Sequence, residues 1–149
     1  MPVVALVDTN VWISALINPR GYPARLKDAW LDGRFQIVVS VALLDELADV
    51  LSRPHICDKY GLKTEDIEEF LRLIAEKSIT VTTVGNLHLC RDPDDDLMLE
   101  TALSGNAQFA VSRDDDLKRD QELISRMQER GIEVVSVQQF LGKLAVVSE

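Results

Sequence analysis

The sequence predicts an α/β fold: a three-layer α/β/α arrangement with a mostly parallel central sheet of about five strands. Three observations predict it. Short apolar runs rich in β-branched residues recur along the chain, and amphipathic helical patterns separate them. The 149 residues contain no linker, repeat or low-complexity tract, so a single domain is expected over 1–149.

The elements follow in order. VVALV (3–7) is a continuous apolar run, as expected of a strand covered on both faces. Helical patterns cover 10–17 and 24–33, and FQIVVS (35–40) reads as the second strand. The helix over 41–53 is closed by Pro54, because a residue before proline is driven out of the helical region. A helix over 64–77 precedes ITVTTV (79–84), a strand whose alternation is partly polar. The helix over 96–104, the strand FAVS (109–112), the helix over 120–130, the strand IEVVSV (132–137) and the helix over 138–146 complete the series. Gly105 and Gly131 stand just past two helices, where a left-handed residue is usually needed. Strands alternating with helices call for right-handed crossovers between parallel strands.

Composition narrows the class. Apolar residues make up 46% of the chain, enough for a packed core, and no apolar run approaches the roughly 20 residues of a membrane helix. The opening MPVVALVDTN has neither the basic start nor the small-residue cleavage site of a secretion signal. Cys57 and Cys90 make neither a disulfide framework nor a zinc set. The expectation is a reduced, cytoplasmic protein. The net charge of −9 is local: Asp92, Asp94, Asp95, Asp96, Asp114, Asp115 and Asp116, with Asp8 and Glu46, carry all of it.

These acids fall where a doubly wound sheet gathers function, outside the carboxyl ends of its strands. Asp8 follows the first strand, Asp92 to Asp96 lie between the third strand and the next helix, and Asp114 comes two residues after FAVS. Helical phase sorts the others. Leu44, Leu47, Ala48 and Leu51 form a core stripe, with Glu46 at its border and Asp45 and Asp49 facing solvent. On the 96–104 helix, Met98, Leu99, Ala102 and Leu103 define the buried face. Asp95 then projects to its middle, Asp96 lies near its border, and Asp92 and Asp94 belong to the loop around Pro93. Asp95 can equally cap the helix. Asp115 reads as solvated, and Asp116 as a further ligand or a cap.

Several carboxylates facing one cleft must protonate, pair, or bind a cation. No lysine or arginine has an obvious place among the inward-facing acids, although Arg91 and Arg113 are adjacent in sequence. Oxygen-only ligands suit Mg²⁺ or Mn²⁺. An EF-hand begun at Asp92 fails, because Leu97 and Leu103 stand where Gly and Glu are required. No phosphate-binding glycine loop or nucleophile elbow is present, and His55 and His88 read as loop residues. Such an acidic metal site suits phosphoryl chemistry.

Asp8-Thr9-Asn10 after the first strand, LLDELADVL with Glu46, DDLMLETAL before Gly105, FAVSRDDDL, and the closing VVSVQQFLGKL resemble, in order and over nearly the whole chain, the motifs of PIN-domain ribonucleases. The resemblance implies a PIN-like fold and RNA cleavage by a Mg²⁺ or Mn²⁺ site. On it, Asp8, Glu46, Asp95 and Asp114 match the acidic quartet, Asp116 an auxiliary acid, and Asn10 and Ser112 polar supports. Asp92 and Asp96 are held in reserve for the third position. Many relatives are toxins of bacterial toxin–antitoxin pairs, which implies a homodimer or higher homo-oligomer and a small antitoxin partner.

Two metal ions would offset four charges, and basic residues lie elsewhere: Arg20, Arg25, Lys27 and Arg34 in one group, Arg119, Arg126 and Arg130 in another. Weak, salt-sensitive RNA affinity is expected without metal. The alternatives are an inactive PIN-like protein serving binding or assembly, and a Mg²⁺-binding receiver-type signalling domain. The second wants a lysine ending a late strand, where this chain has Arg113 and acids. A haloacid-dehalogenase-type phosphatase wants a second Asp where Asn10 stands.

Overall fold

A computed structural model describes residues 2–113, 117, 119 and 121–147. Its sheet contains five strands, all parallel: β1 (Val4–Val7), β2 (Gln36–Ser40), β3 (Ile79–Val81), β4 (Phe109–Ser112) and β5 (Glu133–Ser136). Their order is β3-β2-β1-β4-β5. The chain winds outward one way from β1 through β2 to β3, then the other way from β4 to β5. The direction therefore switches between β1 and β4, and a crevice opens at the carboxyl ends of that pair.

Eight helices are described: α1 (Thr9–Ile17), α2 (Tyr22–Leu31), α3 (Val41–Leu51), α4 (Pro54–Tyr60), α5 (Thr64–Lys77), α6 (Pro93–Ser104), α7 (Gln121–Glu129) and α8 (Val137–Val147). The period-2 side-chain alternation of each strand divides the core in two. Ala5, Val7, Ile37, Val39, Val111 and Val135 face one layer with side chains from α1, α2, α3, α5 and α8. Leu6, Val38 and Ala110 face the other with Leu99 and Ala102 of α6 and Leu123 and Met127 of α7. The first layer is aromatic: Trp12 lies 5.5 Å from Trp30 and 5.4 Å from Phe70, and Phe35 meets Phe140 edge-on at 4.9 Å. The second has no aromatic residue among those described, and Ala102 and Ala110 let α6 sit close to the sheet.

Several boundaries depart from expectation, each for a local reason. β3 stops at Val81 rather than residue 84 because its partner β2 ends at Ser40, opposite Val81, and turns into α3. Pro54 does not close α3, which ends at Leu51. It opens α4 at the start of the first turn, where a missing N–H costs nothing. This short helix, which buries no residue, has no apolar period to announce it, and it carries His55, expected in a loop. α6 likewise starts at Pro93, not at residue 96, so Asp92 is its N-cap and Asp94 lies in its first turn.

The glycines divide in the same way. Gly131 takes the left-handed φ of 79° expected at a helix end. Gly105 does not: its φ is −94°, and the left-handed residue is Asn106, with φ 55°. Gly105 is required for proximity, since a Cβ there would stand 2.1 Å from Cγ2 of Val38, a fully buried β-branched side chain unable to yield. Gly105→Ala is therefore expected to cost roughly 1–3 kcal/mol through overpacking. Adding Val38→Ala to it should cost clearly less than the two single substitutions summed, measured by urea unfolding. Full additivity would show that the contact is not the cause.

Candidate functional site

β1 delivers Asp8 to the switch point. Its N–H donates to the Val111 carbonyl (3.0 Å), tying it to the end of β4, and its carboxylate accepts from the Asn10 N–H (3.3 Å) as N-cap of α1. Beside it opens a cleft of about 250 Å³ lined by Asp8, Asn10, Glu46 of α3, Asp94 of α6 and Arg53, over an apolar floor that includes Leu6, Val39, Leu47 and Met98. Asp8 after β1 and Asp94 of α6 thus reach one edge, as the placement of acids after strands implied, and Glu46, expected from helical phase, joins them from α3. Glu46 occupies the half-buried border position expected from its phase, and Asp45 and Asp49 are exposed.

The electrostatics of this cleft are unbalanced towards the negative. Burial, and next the charge of Asp94, push the Glu46 carboxyl above its ordinary range; Arg53 opposes this and Asp92 adds to it. The expectation that no basic side chain joins the inward-facing acids is corrected here: Arg53, at the corner between α3 and α4, lines the same cleft.

The aspartates of α6 have separate tasks. Asp92 caps the helix, accepting from the Asp94 N–H (2.9 Å). Asp94 is exposed on the cleft wall, and Asp95 beside it is half-buried. The buried acid of α6 is Asp96, not Asp95: Asp96 is 7% exposed and accepts from the N–H groups of Leu89 (2.9 Å) and Cys90 (2.8 Å). Burial raises its carboxyl, but the N–H of Cys90, then that of Leu89, outweigh burial and hold it below the usual carboxylate range.

Helical phase puts Asp96 near the border of the buried face, and it is buried because the preceding segment folds over it and donates the Leu89 and Cys90 N–H groups; Leu103, expected inward, is exposed and Thr101 is fully buried. Thr101 Oγ1 lies 2.9 Å from Ser40 Oγ and 2.7 Å from the Leu97 carbonyl oxygen. Ser40 is the N-cap of α3, accepting from the Leu43 N–H (3.2 Å). This buried hydroxyl pair joins α6 to the start of α3, the two helices that carry Asp94 and Glu46. A lone Ser and a lone Thr sixty-one positions apart gave no sequence signal.

Other acids that the sequence left unassigned hold backbone. Glu100 accepts from Val84 N–H (2.7 Å) and Gly85 N–H (3.2 Å), and Glu122 from Arg91 N–H (2.6 Å). Together with Asp96, they pin the segment between β3 and α6. The Cys90 thiol in that segment is pushed up to about 11, first by burial and then by Asp96.

Of the remaining expected site residues, Ser112 ends β4 opposite Ser136, half-buried. Asp114 and Asp116, with Asp115, lie outside the described residues. None of the expected basic groups lines the cleft. Arg25 lies 5.2 Å from the Tyr22 ring centroid and Lys27 lies 5.7 Å from that of Phe70, while Arg126 and Arg130 pair with Glu129 at 3.6 Å and 3.4 Å.

Among the described residues no three acids, histidines or cysteines close on a common metal position. The donors at the cleft are carboxylates with excess negative charge, which is the chemistry a hard divalent cation balances. Mg²⁺ characteristically takes one or two carboxylates and keeps its waters instead of filling a protein cage. The described part of the cleft fits that demand.

Comparison with known proteins agrees with this architecture. The PIN domain family model matches residues 4–116. An uncharacterized protein of Methanocaldococcus jannaschii is 30% identical over 115 residues, covering 77% of this chain and 73% of its own. No described helix is long and apolar enough to cross a membrane.

Because the Glu46 carboxyl is raised in the folded state, its charged form opposes folding above that raised value. The opposition fades as pH falls through the glutamate range and folding takes up the proton. In EDTA, Glu46→Gln is expected to melt at a higher temperature than wild type at pH 7. The gap should close by pH 4, in melts followed by circular dichroism. A gap that is independent of pH would refute the electrostatic cause.

Proposed function

The chain belongs to the PIN-domain family, a family of nuclease-type domains, and on that premise we propose that it is a Mg²⁺- or Mn²⁺-dependent endoribonuclease. The observation that carries the reading is the meeting of Asp8, Glu46 and Asp94 from three separate elements in one cleft at the switch point of the sheet. Asp8, Glu46, Asp95 and Asp114 are the proposed ligands, with Asp116 auxiliary and Asp94 sharing the described wall. A divalent ion bound there supplies an activated water and positive charge beside the scissile phosphate.

The chain's own residues prepare the site. Asp8 is fixed at both ends, through its N–H to β4 and its carboxylate to the Asn10 N–H. The apolar floor keeps the carboxylates in a medium where charge interactions are strong. Asp92 and Asp96, each occupied with backbone N–H groups, are structural supports for α6 and for the segment before it. Asn10 and Ser112 are proposed as polar supports of the acids. The finer reading, a dimeric toxin restrained by a small antitoxin, rests on the resemblance of the motifs alone.

Single-stranded RNA incubated with Mn²⁺ or Mg²⁺ is expected to be cut by the wild type. Asp8→Asn and Asp95→Asn should each cut it roughly a hundredfold more slowly or worse, as expected when a metal ligand is lost. Wild type should also melt at a higher temperature in saturating MgCl₂, a shift that Asp8→Asn loses. Equal cleavage by the variants would refute the site. Folded wild-type protein that cuts no RNA would favour the binding-and-assembly reading.

A further inference from the structure

The cleft wall holds three described carboxylates, from Asp8, Glu46 and Asp94, and a single described cation, Arg53. If the proposed nuclease reading stands, a polyanion must enter a cleft of its own sign. A divalent ion neutralises that cleft but leaves the strand's flanking phosphates without a partner. Resting on that reading, we propose that Arg53 grips the RNA backbone at the mouth of the cleft and positions it over the acids.

Four features support the assignment. The first is rigidity of the backbone that carries the side chain. Arg53 stands where α3 has ended and Pro54 starts α4, its N–H donating to Val50 O (3.2 Å) and its carbonyl accepting from Ile56 N–H (3.0 Å) and Cys57 N–H (3.1 Å). The Cys57 thiol donates to the Leu51 carbonyl at 2.9 Å, locking the corner from beneath. The second is availability. The guanidinium is 50% exposed and its ion pair is with Asp49 (2.9 Å), itself 70% exposed, an i,i+4 surface pair that holds its partners weakly and exchanges readily. The third is placement: Arg53 lines the same cleft as Asp8, Glu46 and Asp94, at the corner where α3 gives way to α4. The fourth is chemistry. A guanidinium stays charged and presents a planar fork of donors that matches two phosphate oxygens.

The rival account is structural, with Arg53 serving only to pair with Asp49 and fasten the last turn of α3. The two differ in what Asp49 does. If the pair itself matters, removing either partner has the same effect. If Arg53 serves RNA, removing Asp49 frees the guanidinium and takes away one repelling charge.

Binding of a fluorescently labelled single-stranded RNA, read by anisotropy in MgCl₂, separates them. Wild type, which keeps every proposed metal ligand, is the parent, and anisotropy is read in the first seconds after mixing, before cleavage consumes the probe. Arg53→Ala in that background is expected to weaken binding about tenfold and to lower the slope of log affinity against log salt by about 0.7, one phosphate contact on a single strand. Arg53→Lys should restore the slope but only part of the affinity, since it keeps charge and loses the fork. Asp49→Ala should bind as tightly as the parent or up to about threefold more tightly. Equal weakening by Asp49→Ala and Arg53→Ala overturns the assignment, as does parent-like binding by Arg53→Ala. Wild-type cleavage measured alongside keeps the two readings apart. If wild type cuts RNA and Arg53→Ala binds normally, the Arg53 assignment alone falls. If wild type neither cuts nor binds, the nuclease reading falls and takes this one with it.

Discussion

The acidic end of the molecule depends on how α6 is seated. Two contacts set it: Gly105 presses against Val38 at one end of the helix, and Thr101 meets Ser40 inside the fold. The first brings the helix backbone onto the middle of β2, closer than any residue with a Cβ permits. The second fixes its rotation and couples it to the first turn of α3. With both in place, the N-terminal turn of α6 faces α3 across the cleft, and Asp94 and Glu46 share a wall despite like charge. A helix free to slide or roll would relieve that repulsion. The seat of α6 is what allows the acids to stay together.

Much of the fold was legible because parallel strands buried on both faces write themselves as apolar runs, and four of the five strands fell where such runs stood, while β3, at the sheet edge, fell in the partly polar ITVTTV. Helices with a clear apolar period, such as α5, were found to the residue. What escaped was governed by partners distant in sequence. β3 is short because β2 ends, Gly105 exists because of Val38, and Thr101 is buried because of Ser40. α4 was invisible because it buries nothing. The site was legible at Asp8 and Glu46, where strand order and helix border are local properties. It was misread at Asp96, where a carboxylate occupies a core position because loop N–H groups await it there, and apolar periodicity carries no trace of such a partner.

The charge distribution invites a comparable correction. A run of four aspartates within five positions looks like a single electrostatic object, but the structure divides it by task. Asp92 and Asp96 satisfy backbone donors, while Asp94 lines the cleft. A carboxylate occupied by N–H dipoles projects a weaker field than one without them, so the charge felt by an approaching phosphate is smaller than the sequence count suggests. Arg53 reduces it further. On the proposed nuclease reading, net acidity and a polyanionic substrate are compatible because part of the acidity is turned inward onto backbone donors.

The same division gives the segment from 82 to 92 an unusual status. It has no regular structure, yet Glu100, Asp96 and Glu122 receive its N–H groups in succession, so side chains of α6 and α7 do for it what a neighbouring strand does in a sheet. The protein has here an internal anion-binding loop whose anions are covalently its own. Leu87, Leu89 and Cys90 also pack against the second core layer, but an amide in place of any one of these acids leaves shape and volume almost unchanged while removing the negative charge that draws the donors in. Among homologues, this connection should tolerate exchange of its loop residues far more readily than exchange of the acids that receive it.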